Sequence, residues 1–371
     1  MKIFLLCSGL GWIKRGFESF TQECFDALRS YSDFDVYLFK GGGKADANEI
    51  VLWNTPREGQ IAKIIATLSG KDAYFIEQAT FTISLLRFVI REKPDVIFFS
   101  DGNIGNILWH FRQKSGLGYR LLFSNGGPLS PPFPRWDFVH QVAPVHALSA
   151  LRAGHSAKRQ TTIPYGFHFK AQSLLSPNDI RLLRNRLGLP PNRKIVVSIG
   201  TLNQTHKRMG YIIDEIAGMP QPIPYLLLLG QADAETVDLK GRAAQLLGEG
   251  NFAFRCVTAE KVSEFLSCAD IFVLASIYEG FGRVVVEACA SGIPSIVHNS
   301  ELMHYVLGNQ GSYADLTQSG ALSRAIAYLI NNPVTVSERE LIQSTARNRF
   351  SWEVLVPEYI KMFQSCKKLN A

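Results

Sequence analysis

The chain has 371 residues, 46% of them hydrophobic and 19% charged, and a net charge of +7. This length exceeds a single core and predicts two domains of α/β size. The composition excludes a disordered chain, and no apolar run reaches the about 18 residues that a spanning helix needs.

The opening MKIFLLCSGLGW is apolar, lacks a small-residue cleavage site and flows into a glycine loop, as a first buried strand would. That loop, SGLGWIKRGFE, carries Gly9, Gly11 and Gly16 but fails the dinucleotide fingerprint GxGxxG, because Lys14 stands three after Gly11. A nicotinamide dehydrogenase is disfavoured. The next segment has apolar residues at Phe17, Phe20, Cys24, Phe25 and Leu28, the spacing of an amphipathic helix. Strand-like runs then alternate with helix-like ones: DVYLF, DVIFFS, RLLFS and VHALS in the first half, and KIVVSIG, PYLLLLG, FAFRCV, IFVLAS and PSIVH in the second. The alternation predicts parallel sheets with crossover helices. Between the halves, Ala171 to Asn192 is rich in Ser, Pro, Asn and Asp and ends in a charged helix-like piece before Pro190-Pro191. The expected organisation is a first domain over 1–170, a linker over 171–192, a second domain over 193–350 and a terminal helix over 351–371.

Six scattered cysteines without a CxxC pair predict free thiols in a reducing cytoplasm and no metal site. Residues 101–170 hold eight Lys/Arg against Asp101 and Asp137. Nothing there resembles a nucleic-acid motif, so nucleic acid is not an expected partner. That basic stretch predicts either contact with an anionic membrane or anionic acceptor, or a solvated face without a partner.

The most informative segment is SIYEGFGRVVVEACASGIP, Ser276 to Pro294. A buried strand (IFVLAS) turns through Gly280-Phe281-Gly282 into a helix (RVVVEACAS), with Glu279 at the mouth and Glu287 about two turns along. Such a turn aims backbone N–H groups and a positive dipole end at its guest, for which a diphosphate is suited. Glu287 lies between Val284-Val285-Val286 and Ala288-Cys289-Ala290, so its carboxylate needs a partner. One glutamate can bond the hydroxyls of a sugar, the other those of a ribose.

This segment resembles the donor-binding signature of the retaining glycosyltransferases of family 4: two glutamates separated by seven residues, inside a run like EGFG…EA…G.P, here closed by Gly292-Ile293-Pro294. The resemblance implies the GT-B fold, an α/β architecture of two facing Rossmann-like domains with a deep interdomain cleft and a C-terminal helix crossing back to the first. It covers essentially the whole chain, strongly from Lys194 to Tyr313 and thinly before residue 160. It implies that Glu279 holds the sugar and Glu287 the ribose, and that the N–H groups of Phe281, Gly282, Arg283 and Val284, with Gly280 in the turn, hold the diphosphate. VVSIGTLNQTHKRMGYII resembles the family's second diphosphate element. Lys207 matches its lysine, whereas Thr201 stands where an arginine is usual. Arg208 either compensates or is a surface salt-bridge residue. Gly16 matches a loop closing over donor phosphates, or is a tight turn. Arg255 and Val257 fall beside the expected nucleobase. Asn125 stands where many relatives carry a histidine, able to donate a hydrogen bond but unable to serve as a base. Asp101 either orients the acceptor or caps a helix. Trp352, Val356, Tyr359 and Phe363 fall on one helical face and read as core.

The implied function is transfer of a hexose-type sugar from a nucleotide-diphosphate sugar to a saccharide or lipid-linked acceptor, with retention, in surface polysaccharide, lipopolysaccharide or glycolipid synthesis. No cofactor and no metal are expected. The expected place is the cytoplasm, at most peripheral at the inner face of the membrane. The rivals are a nucleotide-sugar epimerase or hydrolase on the same fold and a non-catalytic nucleotide-sugar-binding protein.

Overall fold

In the computed structural model the chain folds as two units, residues 1–168 with 350–371 and residues 169–349. It describes all residues except 14–15, 128, 171–172 and 370–371. Lys14, Pro128 and the first two residues of the expected linker thus lie outside the described residues.

The first unit is built on seven strands: β1 Lys2–Cys7, β2 Asp35–Lys40, β3 Glu49–Val51, β4 Val96–Phe99, β5 Arg120–Asn125, β6 Phe138–Gln141 and β7 Gln160–Thr162. They form one parallel sheet in the order β3-β2-β1-β4-β5-β6-β7. β1 and β4 are buried along almost their whole length, the pattern of strands covered by helices on both faces. VHALS, expected as a strand, is instead part of the helix Pro144–Arg152. Pro144 at the first helical turn, where no N–H is needed, starts that helix. The strand is the preceding FVHQ, hidden from a hydrophobicity reading by its buried His140 and Gln141.

The helix Gly16–Tyr31 buries Phe20, Cys24, Phe25 and Leu28. Phe20 meets Tyr165, Trp352 and Tyr359 at ring-centroid distances of 4.2, 5.9 and 6.1 Å. Trp352 and Tyr359 belong to the helix Trp352–Lys368, which returns to the first unit and buries Val356 and Phe363 as well. Phe167 N donates to Phe350 O, and Trp352 N donates to Phe167 O, clamping the returning chain (2.8 and 3.2 Å). A Cβ on Gly166 would lie 2.4 Å from the Trp352 ring, so only glycine admits this contact. The helix Ala73–Glu92 is long and apolar enough to cross a membrane by length and composition, although it carries Glu77 and Arg87 and is not an unbroken apolar run. Its Phe81, Leu85 and Val89 pack in the core beside the sheet.

The second unit has six strands: β8 Ile195–Ile199, β9 Tyr225–Leu229, β10 Phe252–Arg255, β11 Ile271–Leu274, β12 Ser295–His298 and β13 Gly311–Ala314. All pair in parallel, in the order β10-β9-β8-β11-β12-β13. The expected linker is corrected here. Pro177–Arg186 is a capped helix of the second unit, its Ser176 hydroxyl accepting from Asp179 N. Arg184 from this helix is buried. It donates to the carbonyls of Cys268 and Arg193 and pairs with Asp270 at 2.7 Å, just before β11. A charged run looks like a linker until one of its arginines is buried against a carboxylate and backbone carbonyls.

Candidate active site

In the second unit the strand order reverses between β8 and β11. The chain leaves β8 toward β9 on one side and leaves β11 toward β12 on the other, opening a crevice at their carboxyl ends. Lys207 follows β8 and Glu279 follows β11. Their side chains meet there: Lys207 Nζ donates to Glu279 Oε1, with 13% and 11% of the two side chains exposed. Local geometry fixes the lysine. Asn203 Oδ1 accepts from Lys207 N at 2.9 Å, and a Cβ on Gly200 would lie 2.8 Å from Lys207 Cγ, so the lysine stem lies directly over that glycine. Gly200 and Asn203 are supporting residues that motif reading missed. The glycine ending VVSIG was their visible trace.

Beyond Glu279 the chain turns at Gly282, which has φ +83° and stands before the helix Arg283–Ala290. A Cβ at Gly282 would be strained by that φ and would also lie 3.1 Å from Met303 Cε. Gly280-Phe281-Gly282 is spent on this turn, with Phe281 buried. Glu287 therefore lies about one turn into the helix, not two, and is half-buried between the buried Val286 and Ala288. The leading N–H groups of a helix have no acceptor four residues back, and its dipole places partial positive charge at that end. Arg283 is buried and Val284 half-buried in this first turn. Ser276 Oγ, buried just after β11, has no hydrogen-bond partner.

Four other expected donor-side residues lie in this unit. Arg208, the cation offered in place of the missing arginine, is tied to backbone carbonyls. It heads the helix Met209–Ala217 in the left-handed region, and its Nη1 donates to the carbonyls of Ala275 and Leu316 at 3.2 and 2.8 Å while the guanidinium lies 4.2 Å from the Tyr211 ring. It is a brace under the crevice. Arg255 is exposed at the end of β10, with its carbonyl accepting from Gly230 N and its guanidinium toward Gly188. Thr201 is exposed just after β8, and Val257 follows β10 half-buried.

The first unit has its own reversal, between β1 and β4. Gly16 begins the helix behind β1, and Asp101 follows β4. Asp101 stands before the helix Gly102–Ser115 but makes no side-chain cap bond. Its carboxylate accepts from the Tyr74 hydroxyl, and burial pushes its pKa up. Arg57 lies 4.0 Å from the Tyr74 ring and grips Glu77 with two guanidinium bonds of 2.9 and 2.6 Å. Burial alone would raise the Glu77 pKa. The bonds from the Arg57 side chain and backbone prevail and hold it below the ordinary glutamate range. These partners are far apart in sequence and form no motif. Their one signal was the pair Glu77-Gln78 inside an otherwise apolar helical stretch. Asn125 is 3% exposed. Its Nδ2 donates to Gln141 Oε1 at 2.8 Å and its Oδ1 accepts from Gly127 N at 3.0 Å, so the amide ties β5, β6 and the following turn together. Among the described residues no three His, Cys, Asp or Glu side chains gather as metal ligands.

Two doubly wound parallel sheets with a terminal helix returning to the first are the α/β layout of GT-B glycosyltransferases. The chain aligns over 98% of its length with sucrose-phosphate synthase from Thermosynechococcus elongatus (98% of that chain, 18% identical, TM-score 0.80). It aligns equally far with HepE from Anabaena, solved with UDP and glucose (100% of that chain, 20% identical, TM-score 0.74). Residues 179–349 match the family described as glycosyl transferases group 1, and the second unit belongs to that family. A phosphatidyl-myo-inositol mannosyltransferase from Mycobacterium leprae is 27% identical over 183 residues, 48% of this chain and 48% of its own length. The lipopolysaccharide core biosynthesis glycosyltransferase LpsE from Rhizobium meliloti is 27% identical over 185 residues, 49% of this chain and 53% of its own. The chain thus spans about half the length of the curated relatives it matches.

Proposed function

We propose that the protein is a retaining glycosyltransferase of family 4 that moves a hexose-type sugar from a nucleotide-diphosphate sugar to a saccharide or lipid-linked acceptor. The observation that carries this reading is the Lys207–Glu279 pair at the β8/β11 reversal, beside the glycine turn and helix start. A diphosphate leaving group gathers negative charge as the bond to the sugar breaks. Lys207 and the leading N–H groups of the helix Arg283–Ala290 offset that charge without a metal. Glu279 accepts hydrogen bonds from sugar hydroxyls, and Glu287 from the ribose. In the transfer the C1–O bond to the diphosphate breaks and a bond from the acceptor oxygen to C1 forms. The acceptor proton passes to a donor phosphate oxygen on the same face, so no protein base is required.

The names of the relatives, which concern glycolipid and lipopolysaccharide synthesis, support an acceptor of that kind. Free cysteines, five of them buried, suit a reducing cytoplasm. The basic stretch 101–170 is weak support for membrane contact, because Arg112 pairs with Asp137 and Arg159 donates to the carbonyls of Trp136 and Asp137.

The test is a thermal-shift comparison of UDP-, GDP- and ADP-sugars, followed by transfer assays with the sugar that stabilises. A ligand at 100 times its dissociation constant adds roughly 2.7 kcal/mol. Stabilisation with transfer supports the reading. Donor hydrolysis that no acceptor accelerates, or tight binding without turnover, overturns it.

A further inference from the structure

The helix Gln60–Ser69 of the first unit buries only Ala62. Its aliphatic residues point the other way: Ile61, Ile64, Ile65 and Leu68 are 65, 59, 37 and 83% exposed. They fall at i, i+3, i+4 and i+7, so they form one stripe along the helix. An amphipathic helix normally turns such a stripe to the core. Here the small Ala62 meets the protein, and the branched residues meet solvent. The connection leading to the helix from β3 adds Trp53, 70% exposed. Between Gly59 and Lys71 there is no acid, while Lys63 lies on the helix and Lys71 just beyond it. Of the flanking acids, Asp72 is spent as a cap, accepting from Phe75 N at 2.6 Å.

We propose that this helix seats the first unit on an anionic membrane surface, lying in the interface with its aliphatic stripe among the acyl chains. This inference does not rest on the transfer reading and locates a contact away from the basic stretch 101–170. The chemistry fits that occupant: an apolar stripe, lysines able to reach lipid phosphates from the polar side, and a tryptophan of the kind that settles at the headgroup level. A second copy of the chain fits poorly. A two-fold contact sets the same patch against itself, so the lysines of one copy would meet a helix that carries a lysine and no acid. Four side chains are also far short of the about 20–30 residues a side that a stable interface uses.

The test is co-sedimentation of the full chain with vesicles of phosphatidylglycerol and phosphatidylcholine, and with vesicles of phosphatidylcholine alone. The expected result is binding to the anionic vesicles that weakens with salt. Ile64→Asp with Leu68→Asp should reduce partitioning by at least about a hundredfold, since two exposed aliphatic side chains leave the acyl region. Replacing Lys63 and Lys71 by glutamine should reduce it roughly fivefold per charge. Unchanged melting temperatures confirm that these surface variants fold. Three outcomes overturn the proposal: no vesicle binding by the unaltered chain, equal binding by the aspartate variant, or a vesicle-free dimer that the aspartate variant dissociates.

Discussion

Lys207 and Glu279 stand 72 positions apart, yet the ammonium of one donates to the carboxylate of the other where β8 and β11 part company. Each holds the other in place, and each is mostly withdrawn from water. Such a pair is costly to leave half-made, because the surviving charge stays in a poorly solvated site. It also keeps two groups poised that a diphosphate and a sugar can engage.

Glu279→Gln keeps the shape and removes the charge. We expect the fold to persist and transfer to fall roughly 10- to 100-fold, from about 1.5–3 kcal/mol for hydrogen bonds to a charged group. Lys207→Ala should weaken donor binding and slow transfer together. Because the residues touch, the double variant should lose less than the sum of the two. Turnover of Glu279→Gln near that of the unaltered protein would remove the central claim.

Arg208→Ala tests the brace. Its guanidinium spans the carbonyls of Ala275 and Leu316, so the variant should lose on the order of 1–3 kcal/mol of stability, leaving two carbonyls short of a donor. Donor affinity measured well below the melting temperature should stay within about twofold, a change of under ~0.5 kcal/mol. A large loss of affinity without a loss of stability would restore Arg208 as a phosphate ligand.

Glu279 and Lys207 could be read from the chain, whereas the role of Arg208 could not. The β1, β4 and β11 cores are unbroken apolar runs, β8 is interrupted only by Ser198, and the glycine turn before Arg283 follows from residue types at fixed spacing. Both are local patterns, and local patterns survive in a sequence. β3, β7 and β13 escaped because three or four half-buried residues carry little periodicity. The role of Arg208 escaped because its partners are backbone carbonyls, which leave no residue-type signature. The helix Pro177–Arg186 passed for a linker because its burial hangs on one arginine reaching Asp270. The ties of Arg57 and Asn125 likewise exist only once distant strands and helices are packed.

Asn125→Ala separates packing from sugar contact. The variant loses the bonds to Gln141 and Gly127 inside the sheet end. Stability should drop by about 1–3 kcal/mol, the scale of a buried polar group left unpaired. The pH profile of transfer should show no ionisation from this position in either protein, since an amide does not titrate. If the melting temperature were unchanged while transfer fell strongly, the amide would belong to the sugar after all.

The last prediction concerns His140, fully buried on β6. Its Nε2 lies 2.7 Å from the Ile163 carbonyl, which can only accept, so Nε2 carries the proton. Nδ1, 3.0 Å from Ser124 Oγ, then accepts from that hydroxyl. The neutral ring is satisfied at both nitrogens. Burial pushes its pKa down to about 4 from an ordinary 6.5, against a smaller upward pull from the Ile163 carbonyl. Between those values the unfolded chain binds a proton that the folded chain refuses. Stability from this group is therefore complete above pH about 6.5 and is lost as pH falls toward about 4, by up to about 3 kcal/mol. Other groups titrate in the same window: the raised pKa of half-buried Asp101 acts with the opposite sign, and the lowered pKa of Glu77 acts with the same sign at lower pH. The measurement is thus a difference. Melting temperatures of the unaltered protein and of His140→Gln are followed from neutral pH to about pH 4.5, just above the lowered value. His140→Gln should be less stable at neutral pH but flatter across the window, the two curves converging as the solution is acidified. Parallel curves would mean that the buried ring takes its proton without unfolding, by admitting water or turning toward Tyr359.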